Sequence, residues 1–292
     1  MFCGNVFLSG EYGTFLRKGE DKIETFSAIA EAVRSLSKST KRLHAIFVKD
    51  FREDSLYITD HLEGFDYTAM HVEPNMIINL KKEWENFDDY KEALRSKYRV
   101  KANKADSTSE VLQVKRLSSH DILNFKDELQ KLYENTITNA NFNAQILNLN
   151  TYTQLKNTYG DQFIVQGYFH ENKLVGFLSA MVNQTNLDAH FIGLNYNLNK
   201  NYAIYPRILN DYVRIGIEVG ASRINLGRTA SEIKSTLGAK PEELTCYIRH
   251  KRSIPNMIMK PFIKNIQIKS YRQHRPFKSE MEPIKKEAVT AS

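Results

Sequence analysis

A carboxylate and an imidazole, Asp188 and His190, stand two residues apart in the run LDAHFIGLNY at 187–196. If that run is a strand, its period of two places both on one face. An imidazole that titrates near neutral pH, set beside a carboxylate, is a proton-handling pair. Asn195 and Tyr196 end the run and add an amide and a phenol at its tip. A strand histidine held by a hydrogen bond in the core would do no chemistry, and at this level both readings stand. Farther along, Arg228 and Lys234 lie at or near a short predicted helix after a strand, where a cation can neutralise phosphate or simply face solvent. Glu11 and Tyr12, in GEYG, lie in a turn flanked by glycines that could line a cleft or only reverse the chain. His190, Asp188 and Tyr196 are therefore the candidate catalytic groups, and Glu11, Tyr12, Asn195, Arg228 and Lys234 the candidate substrate-binding groups. The two isolated cysteines, Cys3 and Cys246, make neither a disulfide framework nor a thiolate metal site, and no metal is expected.

These residues need elements to position them. Helical spacing of Ile23, Phe26, Ala30 and Val33 predicts a helix over 22–38, and LHAIFV at 43–48 predicts the strand after it. Trp84, Phe87, Leu94 and Tyr98 predict a second helix over 84–103, ending in the basic run RSKYRVKANKA. The polar stretch ADSTSE at 105–110 is the expected domain boundary, separating residues 1–104 from 105–253, with a basic tail at 254–292. A strand at 111–117 and a helix over 119–136, opened by Ser118 or Ser119, begin the second part. A helix over about 150–158 ends near Gly160, and FIVQGYF with KLVGFLSAMV predicts a hairpin. The run 187–196 is its third strand.

From Tyr205 to Val219 one apolar stripe, Pro206 in the first turn and Gly220 just past the end specify a helix. SRINLG predicts a strand, Thr229 with Glu232 a capping box, and LTCYIRHK a last strand. The order is an α/β (α+β) arrangement with a mixed central sheet flanked by helices. A shorter echo in residues 1–48, with GNVFLSGEYG as strand and turn, suggests an incomplete first repeat.

The net charge of +7 is not spread evenly. Residues 251–292 carry ten Lys or Arg against three Glu, so residues 1–250 are neutral, with 31 of each sign. That argues against a core built to hold nucleic acid, which would place cations on its folded body. The tail mixes apolar and basic residues, as an interfacial segment on anionic lipid does, or an arm packed over the core; RNA is another polyanion it could meet. No apolar run is long enough to span a bilayer and the first residues lack a signal peptide's pattern, so a cytoplasmic protein is expected.

The segments AHFIGLN, YPRILNDYVRIGIEVG, SRINLGR and EIKSTLGAKP, taken together, resemble the GNAT superfamily in its FemAB-like and BioF2-like acetyltransferase branch. The shared features are an aromatic-rich strand, a long helix ending at Gly220, a strand running into Gly227 and Arg228, and Lys234 ahead of Gly238 and Ala239. The resemblance covers about 60 residues closely and 85–250 more loosely. It implies an N-acyltransferase with acyl-CoA as donor, moving a group other than an aminoacyl group onto an amine, with a cell-envelope or polysaccharide precursor as acceptor. It strengthens the anion-binding reading of Lys234. This sequence departs from ordinary acetyl-CoA enzymes in one respect: NYNLNKNYAIYP, between strand and helix, lacks the glycines of a pyrophosphate loop. Relatives in the branch that use aminoacyl-tRNA share that departure. The alternatives are a GNAT-like module that only binds an anionic glycan, lipid or nucleic acid, and an aminoacyl-tRNA-dependent transferase.

Overall fold

The computed structural model describes residues 1–11, 13, 17–138 and 146–281. Its first part runs β1 (Phe2–Cys3), α1 (Lys22–Ser39), β2 (Ala45–Arg52), α2 (Leu56–Thr59), β3 (Thr68–Asn79), α3 (Phe87–Ala93) and α4 (Ser96–Thr108). Then come β4 (Gln113–Arg116), α5 (Ser119–Asn124), α6 (Lys126–Thr138), α7 (Thr151–Tyr159), β5 (Phe163–His170), β6 (Lys173–Asn183) and β7 (Asn186–Leu194). The chain continues through α8 (Tyr196–Tyr202), α9 (Ile204–Glu218), β8 (Arg223–Asn225), α10 (Ser231–Ser235), β9 (Lys240–His250) and α11 (Ser253–Lys264). The mixed α/β class expected from the sequence is what forms.

The nine strands among the described residues join one sheet in the order β1-β2-β9-β3-β8-β7-β6-β5-β4. β3, from the first part of the chain, lies between β9 and β8 of the second, so the sheet crosses residues 105–110 without a seam. Those residues are the last turn of α4 and the turn after it. One face of the sheet packs on α3, α4 and α9 through Tyr90, Tyr98, Ile208 and Tyr212. The other packs on α5, α6 and α7 through Ile122, Leu129 and Tyr152, and α1 covers β2 and β9 with Phe26 and Ala30.

Several elements form as the sequence predicts. Ser118 caps α5 in a reciprocal box with Asp121, and Gly220 takes the left-handed conformation just past α9. Gly193 has a different reason: a Cβ there would sit 2.6 Å from the backbone of Leu132, so only glycine lets α6 lie this close to β7.

Other expectations fail. The helix over 84–103 breaks at Leu94–Arg95 because the backbone amide of Arg95 donates to the Pro276 carbonyl (2.8 Å) instead of continuing the turn. The helix over 119–136 breaks at Phe125. The described residues of GNVFLSGEYG form no strand; Phe2–Cys3, just before it, pairs parallel to β2. Thr229 caps nothing, since Thr229 and Ala230 are both left-handed and α10 starts at Ser231 without a side-chain cap.

Candidate functional site at the parting of two strands

Between β7 and β8 the parallel ladder lasts three pairs, from Asn186↔Arg223 to Asp188↔Asn225, and then ends. Beyond Asp188 β7 pairs with β6 alone, while β8 gives way to the loop through Gly227. β7 also carries an extra residue against β6, between its Ala180↔Ala189 and Leu178↔Ile192 pairs. Such a bulge bends a strand and re-aims its side chains. Ser179 pins it, donating to the Phe191 carbonyl (2.8 Å) and accepting from the Phe191 amide (3.0 Å). Leu187 and Ala189 face the α9 side, so Asp188 and His190 share the other face.

His190 lies among the rings of Tyr152, Phe163 and Phe191. Ser179 spends its hydrogen on Phe191, so the Tyr152 hydroxyl donates to Ser179 (2.9 Å) and its oxygen accepts from His190 Nδ1 (3.1 Å). The unprotonated nitrogen is then Nε2. Burial pushes the imidazole pKa down to about 4, so the ring is neutral at physiological pH.

On the same side of the sheet a polar junction gathers around Asp50. This residue is fully buried, left-handed in backbone, and ion-paired with Lys49 (2.8 Å) and Arg228. Cys246 Sγ lies 3.3 Å from its carboxylate and the Gly10 amide donates to it (3.3 Å). Lys49 also donates to the carbonyls of Asn5 (2.6 Å) and Leu8 (3.3 Å), and burial, then the nearby Arg228 charge, lowers its pKa to about 8. Asn75 and Asn225 both donate to the Ser9 carbonyl, at 3.2 and 3.3 Å, and Phe7 packs edge-on against Phe191. The segment around 5–10 thus lies across the opening on this face. Among the described residues Arg228 Nε and Asn75 Oδ1 are buried with no hydrogen-bond partner, and the cluster of one carboxylate and two cations keeps an excess positive charge. A buried cluster with orphaned polar atoms is suited to an anionic or polar ligand.

On the opposite face a groove of about 580 Å³ lies between α4, the start of α9, α10 and the segment at His274. Its floor is apolar, with Leu94, Ala102, Leu209 and Leu237, and Lys101, Lys104 and Lys200 stand at its walls. The first turn of α9 is not a backbone cradle for pyrophosphate. The Tyr205 amide is taken by the Asn199 side chain (2.8 Å), Pro206 has none, the Arg207 amide bonds the Ala203 carbonyl (2.9 Å), and Ile204 is fully buried. The pyrophosphate of a CoA donor therefore does not fit here in the manner of a glycine loop. Any phosphate in the groove has to be met by lysine side chains.

The structure brings some of the sequence candidates together and disperses others. Asp188, His190 and Arg228 share the junction face, and Glu11 reaches its rim through Arg52 (3.4 Å). Lys234 is buried, its ammonium spent on the carbonyls of Leu226 (2.8 Å), Gly227 (3.3 Å) and Arg228 (2.6 Å). Burial lowers its pKa to about 7, and its contacts hold the loop after β8. Asn195 caps α8 by accepting from the Asn197 amide (3.0 Å), and Tyr196 is the exposed first residue of that helix, not the end of the strand. Tyr12 lies outside the described residues. Sequence reasoning missed Lys49, Asp50, Asn75 and Asn225. It also missed the network in which Arg207, Arg214, Tyr168 and Gln166 all bond the buried Asp211 and lock α9 to β5. Among the described residues no cluster of His, Cys, Asp and Glu could hold a metal, and no helix is long and apolar enough to cross a membrane.

No family model and no curated protein matches the sequence. Solved structures do match. L-PGS from Bacillus licheniformis aligns with a TM-score of 0.56 at 10% identity over 85% of this chain and 79% of that one. FemX aligns with a TM-score of 0.53 at 11% identity, over 82% and 79%. A tandem GNAT protein from the clavulanic acid biosynthesis pathway aligns with a TM-score of 0.52 at 9% identity, over 82% and 74%. At such identities the likeness is one of fold, and the chain has the GNAT-like fold that FemX and the tandem GNAT protein share.

Proposed function

We propose that the protein is an acyl-group transferase, taking its acyl group from an anionic carrier seated in the lysine-walled groove and passing it to an amine where β7 and β8 part. The observation that carries this reading is the position of that parting, with an apolar, cation-lined groove on one face and a polar junction on the other. In the transfer the amine lone pair attacks the acyl carbon. A C–N bond forms, the carrier's C–O or C–S bond breaks, the ammonium proton passes to a base, and the leaving group is protonated. Where β7 leaves β8, its edge would offer backbone N–H groups to an oxyanion. Asp188 is the proposed proton acceptor, at the last rung of the ladder, with neutral His190 two residues on. The acceptor class implied by the resemblance is an amine on a cell-envelope or polysaccharide precursor.

The spent first turn of α9 favours a second reading of the donor: an aminoacyl ester on tRNA, held by Lys101, Lys104 and Lys200 side chains, rather than an acyl-CoA. Incubating the protein with radiolabelled acetyl-CoA and, separately, with radiolabelled aminoacyl-tRNAs separates the two. Salt-sensitive binding and discharge of the tRNA ester alone supports the second donor. Thiol release from CoA supports the first. Binding and discharge of neither overturns the transferase reading.

A further inference from the structure

α11 is turned inside out for a surface helix. It is held to the body by polar contacts: Asn256 donates to the Asp66 carbonyl (2.8 Å) and carboxylate (3.0 Å) and accepts from the His250 amide (2.7 Å). Lys260 pairs with Asp66 (2.6 Å), and Ile263 is its one buried large apolar side chain. Its bulkiest apolar side chains point outward, with Ile254 71%, Met257 67%, Ile258 57% and Phe262 73% exposed. Spacings of three and four put these on one stripe. Ile266, just past the helix, is also exposed. An amphipathic helix that seats its polar side and offers its apolar side has that side reserved for something else.

The charge around the stripe says what. From Leu244 to Ser279 there are nine Lys or Arg and no Asp or Glu. Arg252 and Lys264 bracket the helix and are exposed. Lys251, at its start, donates to the Thr40 carbonyl (2.7 Å), which brings beside it the exposed Lys38 at the end of α1 and Lys41 and Arg42 just after that helix. Apolar side chains at the centre and cations at the edges match the interface of an anionic bilayer, where the former enter the acyl boundary and the latter meet headgroup phosphates. We propose that α11 seats the protein on an anionic lipid surface by inserting Ile254, Met257, Ile258 and Phe262.

The test is co-sedimentation of the full chain with vesicles of phosphatidylcholine alone or with about 30% phosphatidylglycerol, a fraction that gives a strong negative surface potential. Binding to the anionic vesicles, weakened at high salt, is expected. Ile258→Ser with Phe262→Ser should lower the partition coefficient at least tenfold while leaving the melting temperature unchanged, since both side chains are exposed. Phe262→Trp should shift its emission to the blue on anionic vesicles only. Three results would overturn the proposal: no binding to anionic vesicles, equal binding by the double variant, or a dimer that the double variant dissociates while vesicles go unbound. The last would assign the stripe to a second copy of the chain.

Discussion

The two faces of the sheet at the parting of β7 and β8 handle charge in opposite ways. In the groove, Lys101, Lys104 and Lys200 stand at the walls of an apolar floor, so a ligand can enter without unpairing a buried group. In the junction, Lys49, Asp50 and Arg228 are packed together beneath the 5–10 segment, and removing any one leaves the others facing a poorly solvated neighbour. The first arrangement costs little stability and serves binding. The second ties stability to the site.

The largest expected effect follows from that contrast. Asp50→Ala should destabilise the fold by about 3–5 kcal/mol, because it leaves two cations of a buried cluster without their carboxylate. Denaturant unfolding measures it, and a wild-type midpoint would mean the junction is not a closed charge cluster. Next, Asp188→Asn should lower turnover about a hundredfold, within the range for losing a general base, at near-constant substrate affinity. Steady-state kinetics with the donor that proves active would show it.

Lys101→Ala with Lys104→Ala should weaken donor binding about tenfold and flatten its salt dependence, with stability changed by no more than about 0.5 kcal/mol. A loss of stability comparable to that of Asp50→Ala would erase the distinction between the faces. The last effect concerns His190 and is seen only on acidification. Its pKa is pushed down to about 4 in the folded chain, against about 6.5 when unfolded, so the unfolded state binds the proton more readily between those values. Stability should therefore fall as pH drops from about 6.5 through 4, and His190→Phe should remove that component. Melting temperatures across this pH range for both proteins test the sign.

Much of the second part of the chain was legible because its strands and helices carry clean periods. The hairpin of β5 and β6, the stripe of α9 and its Gly220 stop all follow from local pattern. β3 was not legible, although it is central. Its sequence TAMHVEPNMIIN puts Glu73, Pro74 and Asn75 at an irregularity in the pairing with β9, which interrupts both alternation and apolar run. Site residues divided the same way. Asp188 and His190 were readable because one strand carries both. The pairing of Asp50 with Arg228 was not, because it joins β2 to the loop after β8 and leaves no local spacing. Lys234, expected as an anion grip, is buried, and three carbonyls take up the charge that the sequence made to look available. The basic tail divides into an exposed apolar helix and an arm, in which Phe277 packs on Trp84 and Tyr90.

The most direct test of the central claim is to follow a radiolabelled acyl group from its carrier into an amide, comparing wild type with Asp188→Asn. Label is expected in an amine acceptor with wild type, from acyl-CoA or aminoacyl-tRNA, and about a hundredfold less with the variant. No labelled amide from either donor, or equal amounts from both proteins, would contradict it.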